Sequence, residues 1–147
     1  MTTLDELIER VERASGPDRV IDFHLATLTN KQMADDLLIA DNITYSSDCE
    51  FVLTFTAANA ALGRGYYGNH MIPEYTASLD AAVALCERVL PGYFWGVNSN
   101  KYEIGNRIAW VAEIYTSEPA IEARAHSEAL ALVAAVLRTK KMMEMKP

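Results

Sequence analysis

The sequence predicts an α/β or α+β fold, a single domain in which helices pack on a mainly antiparallel sheet. Three observations predict it. The 147 residues suffice for one core and are too few for two ordinary domains. Half of them are hydrophobic and 22% charged, a globular composition that excludes disorder and low complexity. Helix-spaced apolar residues at both ends flank a middle rich in aromatic and β-branched residues.

Thr3 and Glu6 stand at capping-box spacing before Leu4, Leu7, Ile8 and Val11, so a helix opens the chain and Gly16-Pro17 stops it. A second helix starts at Asp18 with Ile21, Leu25 and Leu28 on one face, and Thr29 with Gln32 caps a third bearing Met33, Leu37 and Leu38. Phe51 to Phe55 reads as a strand within residues 43–55. Ala57 to Leu62 has helical propensity, and the glycines at 63, 65 and 68 with Pro73 predict an irregular loop to about Tyr75. Ser78 caps a helix with Leu79, Ala82, Val83, Cys86 and Val89 inward, ended by Pro91-Gly92.

Tyr93 to Val97 and Arg107 to Tyr115 read as a hairpin joined by a polar turn over 98–106, with both faces of the second strand apolar and covered. A last helix is expected from about Ile121 to Lys140, placing Cys86, Trp110 and Leu132 in one core. The run Ala129 to Leu137 is apolar nearly all round, more than one sheet contact uses, and predicts a homo-oligomer. Within the single domain, an acidic helical part spans about 3–42 and a sheet-and-helix part about 43–140.

The net charge of −7 lies in the first third, where residues 1–50 hold 11 acidic and 4 basic side chains. Such a chain lacks the basic stripe of a nucleic-acid binder, so no nucleic-acid partner is expected. The nine-residue apolar run is far short of the about 20 a membrane span needs, and the N-terminus lacks the pattern of an export signal; a cytoplasmic protein without a membrane partner is expected. Cys49 and Cys86 are read as reduced thiols.

Ile72-Pro73-Glu74-Tyr75-Thr76-Ala77-Ser78-Leu79-Asp80-Ala81-Ala82, the aromatic strand after Pro91-Gly92, the Trp110 strand and Ala125-His126-Ser127-Glu128-Ala129-Leu130-Ala131-Leu132 resemble the phage ABA sandwich family, small phage and prophage proteins with a sheet between helices. The similarity is best over residues 73–138 and weaker over 4–28, while residues from about 29 to 70 depart from the pattern. The resemblance implies a fold and a phage origin, with no reaction attached.

Gly63-Arg64-Gly65-Tyr66-Tyr67-Gly68 carries the letters of a dinucleotide fingerprint without the strand-turn-helix context that makes one work. His24, His70 and His126 have no second ligand at metal-site spacing, and no nucleophile has a base or elbow beside it, so neither metal, cofactor nor enzyme is expected. Arg64, Tyr66, Tyr67, His70, Asn98 and Arg107 combine guanidinium, aromatic and amide groups that hold a small anionic, base-containing ligand. A phage-encoded, non-catalytic binding protein that sequesters a nucleotide-type immune signal is therefore the expectation. A structural or accessory phage protein acting through protein contacts is the alternative.

Overall fold

The computed structural model describes residues 3–55, 64–103, 108–115 and 120–145, with backbone placement alone at 64, 99–103 and 108–109. The fold is α+β, built from helices and two three-stranded antiparallel sheets. In chain order the elements are α1 (Leu4–Arg13), α2 (Arg19–Ala26), α3 (Lys31–Ile39), β1 (Asn42–Tyr45), β2 (Glu50–Thr54), β3 (Arg64–Gly68), α4 (Leu79–Val89), β4 (Phe94–Glu103), β5 (Ile108–Tyr115), β6 (Ile121–Ala125) and α5 (Glu128–Met145). They divide into two compact units, residues 19–73 and residues 2–18 with 74–147.

In the first unit β1, β2 and β3 form a sheet in that order. Alternation along β2 leaves Phe51 and Leu53 fully buried, and the register sets Phe51 between Tyr45 and Tyr67. Phe23 of α2 completes the cluster, its ring 5.5 Å from that of Phe51 and 5.2 Å from that of Tyr67. Asn30, not Thr29, caps α3 by accepting from the Met33 amide, while the Thr29 hydroxyl donates back to the Ala26 carbonyl. Leu38 is 59% exposed and Met33 alone is buried on α3, since five residues set them about 140° apart around the helix.

Residues 64–68, expected as loop, are strand β3. Gly65 lies over the Phe55 ring, where a Cβ would stand 3.6 Å from it, and Tyr67 fills the core side, so alternation with a small inward residue outweighs the turn preference of glycine. A 3-10 turn at Asn69–Met71 follows. The half-buried Arg19, its side chain 13% exposed, secures this segment. Its guanidinium donates to the carbonyls of Asn69, Ile72 and Pro73, to Asn69 Oδ1 and to the wholly buried Asp22, and lies 5.0 Å from the centre of the Phe51 ring.

In the second unit α5 is the central element. Ala129 to Leu137 are all buried because α1, α4 and the sheet β4-β5-β6 surround the helix. The apolar surplus thus finds its partners within the chain, and the ground for a homo-oligomer on this helix falls away. Thr3 caps α1, Ser78 caps α4, and the Asp18 amide donates to Thr76 Oγ at 2.9 Å.

Residues 121–125, expected as the start of the last helix, are strand β6. Ala123 and Ala125 turn inward, Glu122 and Arg124 outward, and Ser127 Oγ then caps α5 through the Leu130 amide. Likewise β4 runs on to Glu103, so residues 98–103 are strand and not turn, with an irregular register between Asn100 and Glu103. Leu85 and Cys86 are buried on α4 while Val83 and Val89 are half-buried. Cys86 and Leu132 lie in the core, whereas Trp110 is only half-buried.

Burial, with a smaller contribution from Glu87, pushes the Cys86 thiol up to about 11. Cys49, in the turn between β1 and β2, is exposed. A thiol reagent at neutral pH should therefore modify one cysteine in the native protein and both after denaturation; two rapid equivalents in the native state would refute this packing.

Candidate functional site

Asp5, Ile8 and Glu12 recur at helical spacing on α1, and Arg138, Lys141, Met142 and Met145 recur on α5. Each Cα–Cβ vector of such a set returns to one face, so two helices side by side present a charged row to a charged row. Arg138 grips Glu12 through two hydrogen bonds, Nε to Oε2 and Nη2 to Oε1, the latter at 2.8 Å, and Lys141 pairs with Asp5. The hydrogen bond to Glu12 raises the Arg138 pKa further, so that guanidinium is a fixed positive charge.

Beside these pairs opens a cavity of about 510 Å³, within the range of small-ligand sites. Ile8, Ala120, Ile121, Met142 and Met145 give it apolar walls; Asp5, Glu122, Arg138 and Lys141 give it charge. A second hollow of about 400 Å³ shares Glu122 and Arg138 and adds Glu12, Ala123 and Arg124. Arg124 stands 3.9 Å from Glu122. The groove therefore offers cations whose counter-charges are the protein's own carboxylates, next to flexible thioether surface.

The residues expected to form a ligand site are distributed otherwise. Arg64, Tyr66 and Tyr67 are consecutive or near-consecutive on β3, and Tyr66 and Tyr67 face opposite sides of the sheet. Tyr67 is half-buried in packing: its ring meets Phe23 and its hydroxyl donates to Asp36. Tyr66 is 57% exposed. His70 is exposed in the 3-10 turn, its ring against Gly68, where a Cβ would meet it at 2.8 Å. Asn98 is exposed on β4, opposite Val111 of β5, and Arg107 lies outside the described residues. Two aromatic faces closing on one ligand from β3 are thereby excluded, while Tyr66 keeps a free face.

Sequence reasoning missed Asp5, Glu12, Arg138 and Lys141 as a set. On the sequence they belong to a solvated acidic face and to the positively charged end of the last helix; only the packing of α1 on α5 joins positions 126 apart.

The Tyr67 hydroxyl is pushed up to about 12, first by burial and then by its bond to Asp36. A group whose pKa is higher folded than unfolded stabilises fully below its unfolded value and loses that stabilisation as pH rises through the folded value. Tyr67 and Cys86 together therefore predict stability lost from about pH 9 to about pH 12. Tyr67→Phe should flatten the upper part of that decline in a series of urea melts.

Among the described residues no cluster of three or more His, Cys, Asp or Glu could hold a metal ion, and no helix is long and apolar enough to cross a membrane. No family model, no curated protein and no solved structure matches this chain.

Proposed function

We propose that this chain is a non-catalytic binding protein whose groove along α1, β6 and α5 receives a small anionic, nucleotide-type ligand. In the phage setting that the family resemblance implies, its role is to sequester such a molecule, an immune signal, in the host cytoplasm. One observation carries the reading: Arg138 and Lys141 stand beside an apolar-walled cavity of about 510 Å³ and are neutralised only by side chains that an incoming phosphate can displace. The apolar wall of Ile8, Met142 and Met145 accepts a base, and the cations take the phosphate.

The test is calorimetry against linear and cyclic nucleotides. Arg138→Ala should weaken binding about tenfold or more, as loss of a charged hydrogen bond requires. Glu12→Gln should tighten it, because the competing carboxylate is gone while the guanidinium stays. An ion pair that only joins the helices predicts no gain from Glu12→Gln, and that outcome, or the absence of heat with any member of the panel, would defeat the reading. The accessory role through protein contacts is favoured by a different feature, the 76% exposed Phe94 on β4.

A further inference from the structure

We propose that the groove, on the reading that it takes a nucleotide, selects guanine, and that Glu122 of β6 is the residue that reads the base. The carboxylates lining the two hollows are Asp5, Glu12 and Glu122, and they are engaged differently. Asp5 is paired with Lys141, and Glu12 holds Arg138 through two hydrogen bonds. Glu122 lines both hollows, yet among the described residues its ion pair is with Arg124 at 3.9 Å, beyond hydrogen-bond length. It keeps its acceptor lone pairs for an incoming donor.

The sheet itself leaves Glu122 short of donors. Pairing of β5 with β6 sets Glu113 directly opposite Glu122, so two carboxylates share one face, an arrangement that like charge disfavours. The Tyr115 hydroxyl relieves Glu113 by donating to it. Among the described residues no hydroxyl does the same for Glu122. A neutral or basic residue at 122 would suit the strand pair better, so the carboxylate has its use in the hollow, where a ligand carrying N–H groups supplies what the sheet does not.

Guanine alone among the bases presents two neighbouring donors on one edge, N1–H and the exocyclic N2–H, and a carboxylate accepts both side by side. In adenine and cytosine the amino group adjoins a ring nitrogen whose lone pair a carboxylate repels, and in uracil a single N–H lies between two carbonyls. The division of labour within the groove is consistent with this. Arg138 and Lys141, on α5, are neutralised by Glu12 and Asp5 of α1, so an entering phosphate displaces carboxylates of α1 and leaves Glu122 of β6 in place. Ile8, Met142 and Met145 pack against the ring face meanwhile.

Calorimetry with GMP, IMP and AMP tests the selection. GMP should bind about tenfold or more tightly than AMP, and likewise than IMP, which lacks the N2 amino group. Glu122→Gln should weaken GMP about tenfold and strengthen AMP, because an amide offers one acceptor and one donor, the pattern that adenine complements. Arg138→Ala should instead weaken GMP and AMP by the same factor, since it touches the phosphate and not the base. Glu122 is exposed, so the circular dichroism spectrum of Glu122→Gln should match that of the parent. Equal affinities for GMP and AMP, IMP binding as tightly as GMP, or a GMP preference that survives Glu122→Gln each overturn the selection of guanine and leave the nucleotide groove standing. Absence of heat with all three overturns both.

Discussion

Arg19→Met is expected to destabilise the protein by about 3–5 kcal/mol, the cost of removing one partner of a buried ion pair. Asp22 is 0% exposed and loses the guanidinium that stands 2.8 Å from its Oδ2. The carbonyls of Asn69, Ile72 and Pro73 each lose the guanidinium as a donor at the same time, and the ring faces of Phe51 and Tyr45 lose their cation. Methionine fills much of the same volume, which separates loss of charge and donors from loss of packing. Arg19→Lys should recover little, because one ammonium cannot span the set that a planar fork with two terminal nitrogens reaches. Urea denaturation of the three proteins measures the differences. A change under 1 kcal/mol for Arg19→Met would mean that Asp22 and the 69–73 segment are held without it.

What the sequence made legible follows from how local each signal is. The caps at Thr3 and Ser78 are short-range bonds, and both stand where their spacing placed them. The α+β class followed from alternating periodicities, and the hairpin of β4 and β5 from its aromatic strands. The misread segments are those where a residue's usual preference was overruled by packing. Gly65 is a strand residue because a ring lies over it, and Ala123 and Ala125, good helix formers, are strand residues because they lie under α5. The turn between β1 and β2 was hidden too: Cys49 takes the left-handed position, φ 60°, that glycine or asparagine ordinarily signals.

The candidate groove was illegible for a different reason. Nothing in the spacing of Glu12 and Arg138 says that they meet, since their contact depends on which face of α5 the first helix covers. A helix apolar nearly all round announces only that it is surrounded, and the same pattern fits a partner subunit or the chain's own α1 and α4 equally well. The burial of every side chain from Ala129 to Leu137 decides for the latter.

That burial also sets the second large effect. Leu132→Ala should cost about 2–5 kcal/mol, combining lost transfer free energy with the cavity left behind. The upper half of the range is expected, because Leu132 is 0% exposed and its neighbours Ala131, Val133, Ala135 and Val136 are equally enclosed, so none can swing in from solvent to fill the gap. Leu132→Met, which nearly conserves volume, should cost less than about 1.5 kcal/mol. Lys140, half-buried on the same helix and paired with Glu144, supplies the contrast: Lys140→Ala should stay within about 0.5 kcal/mol. Thermal melts of the three variants give the order directly. If Leu132→Ala and Lys140→Ala destabilise equally, α5 is not the enclosed centre of its unit, and the intramolecular account of its apolar surplus fails with it.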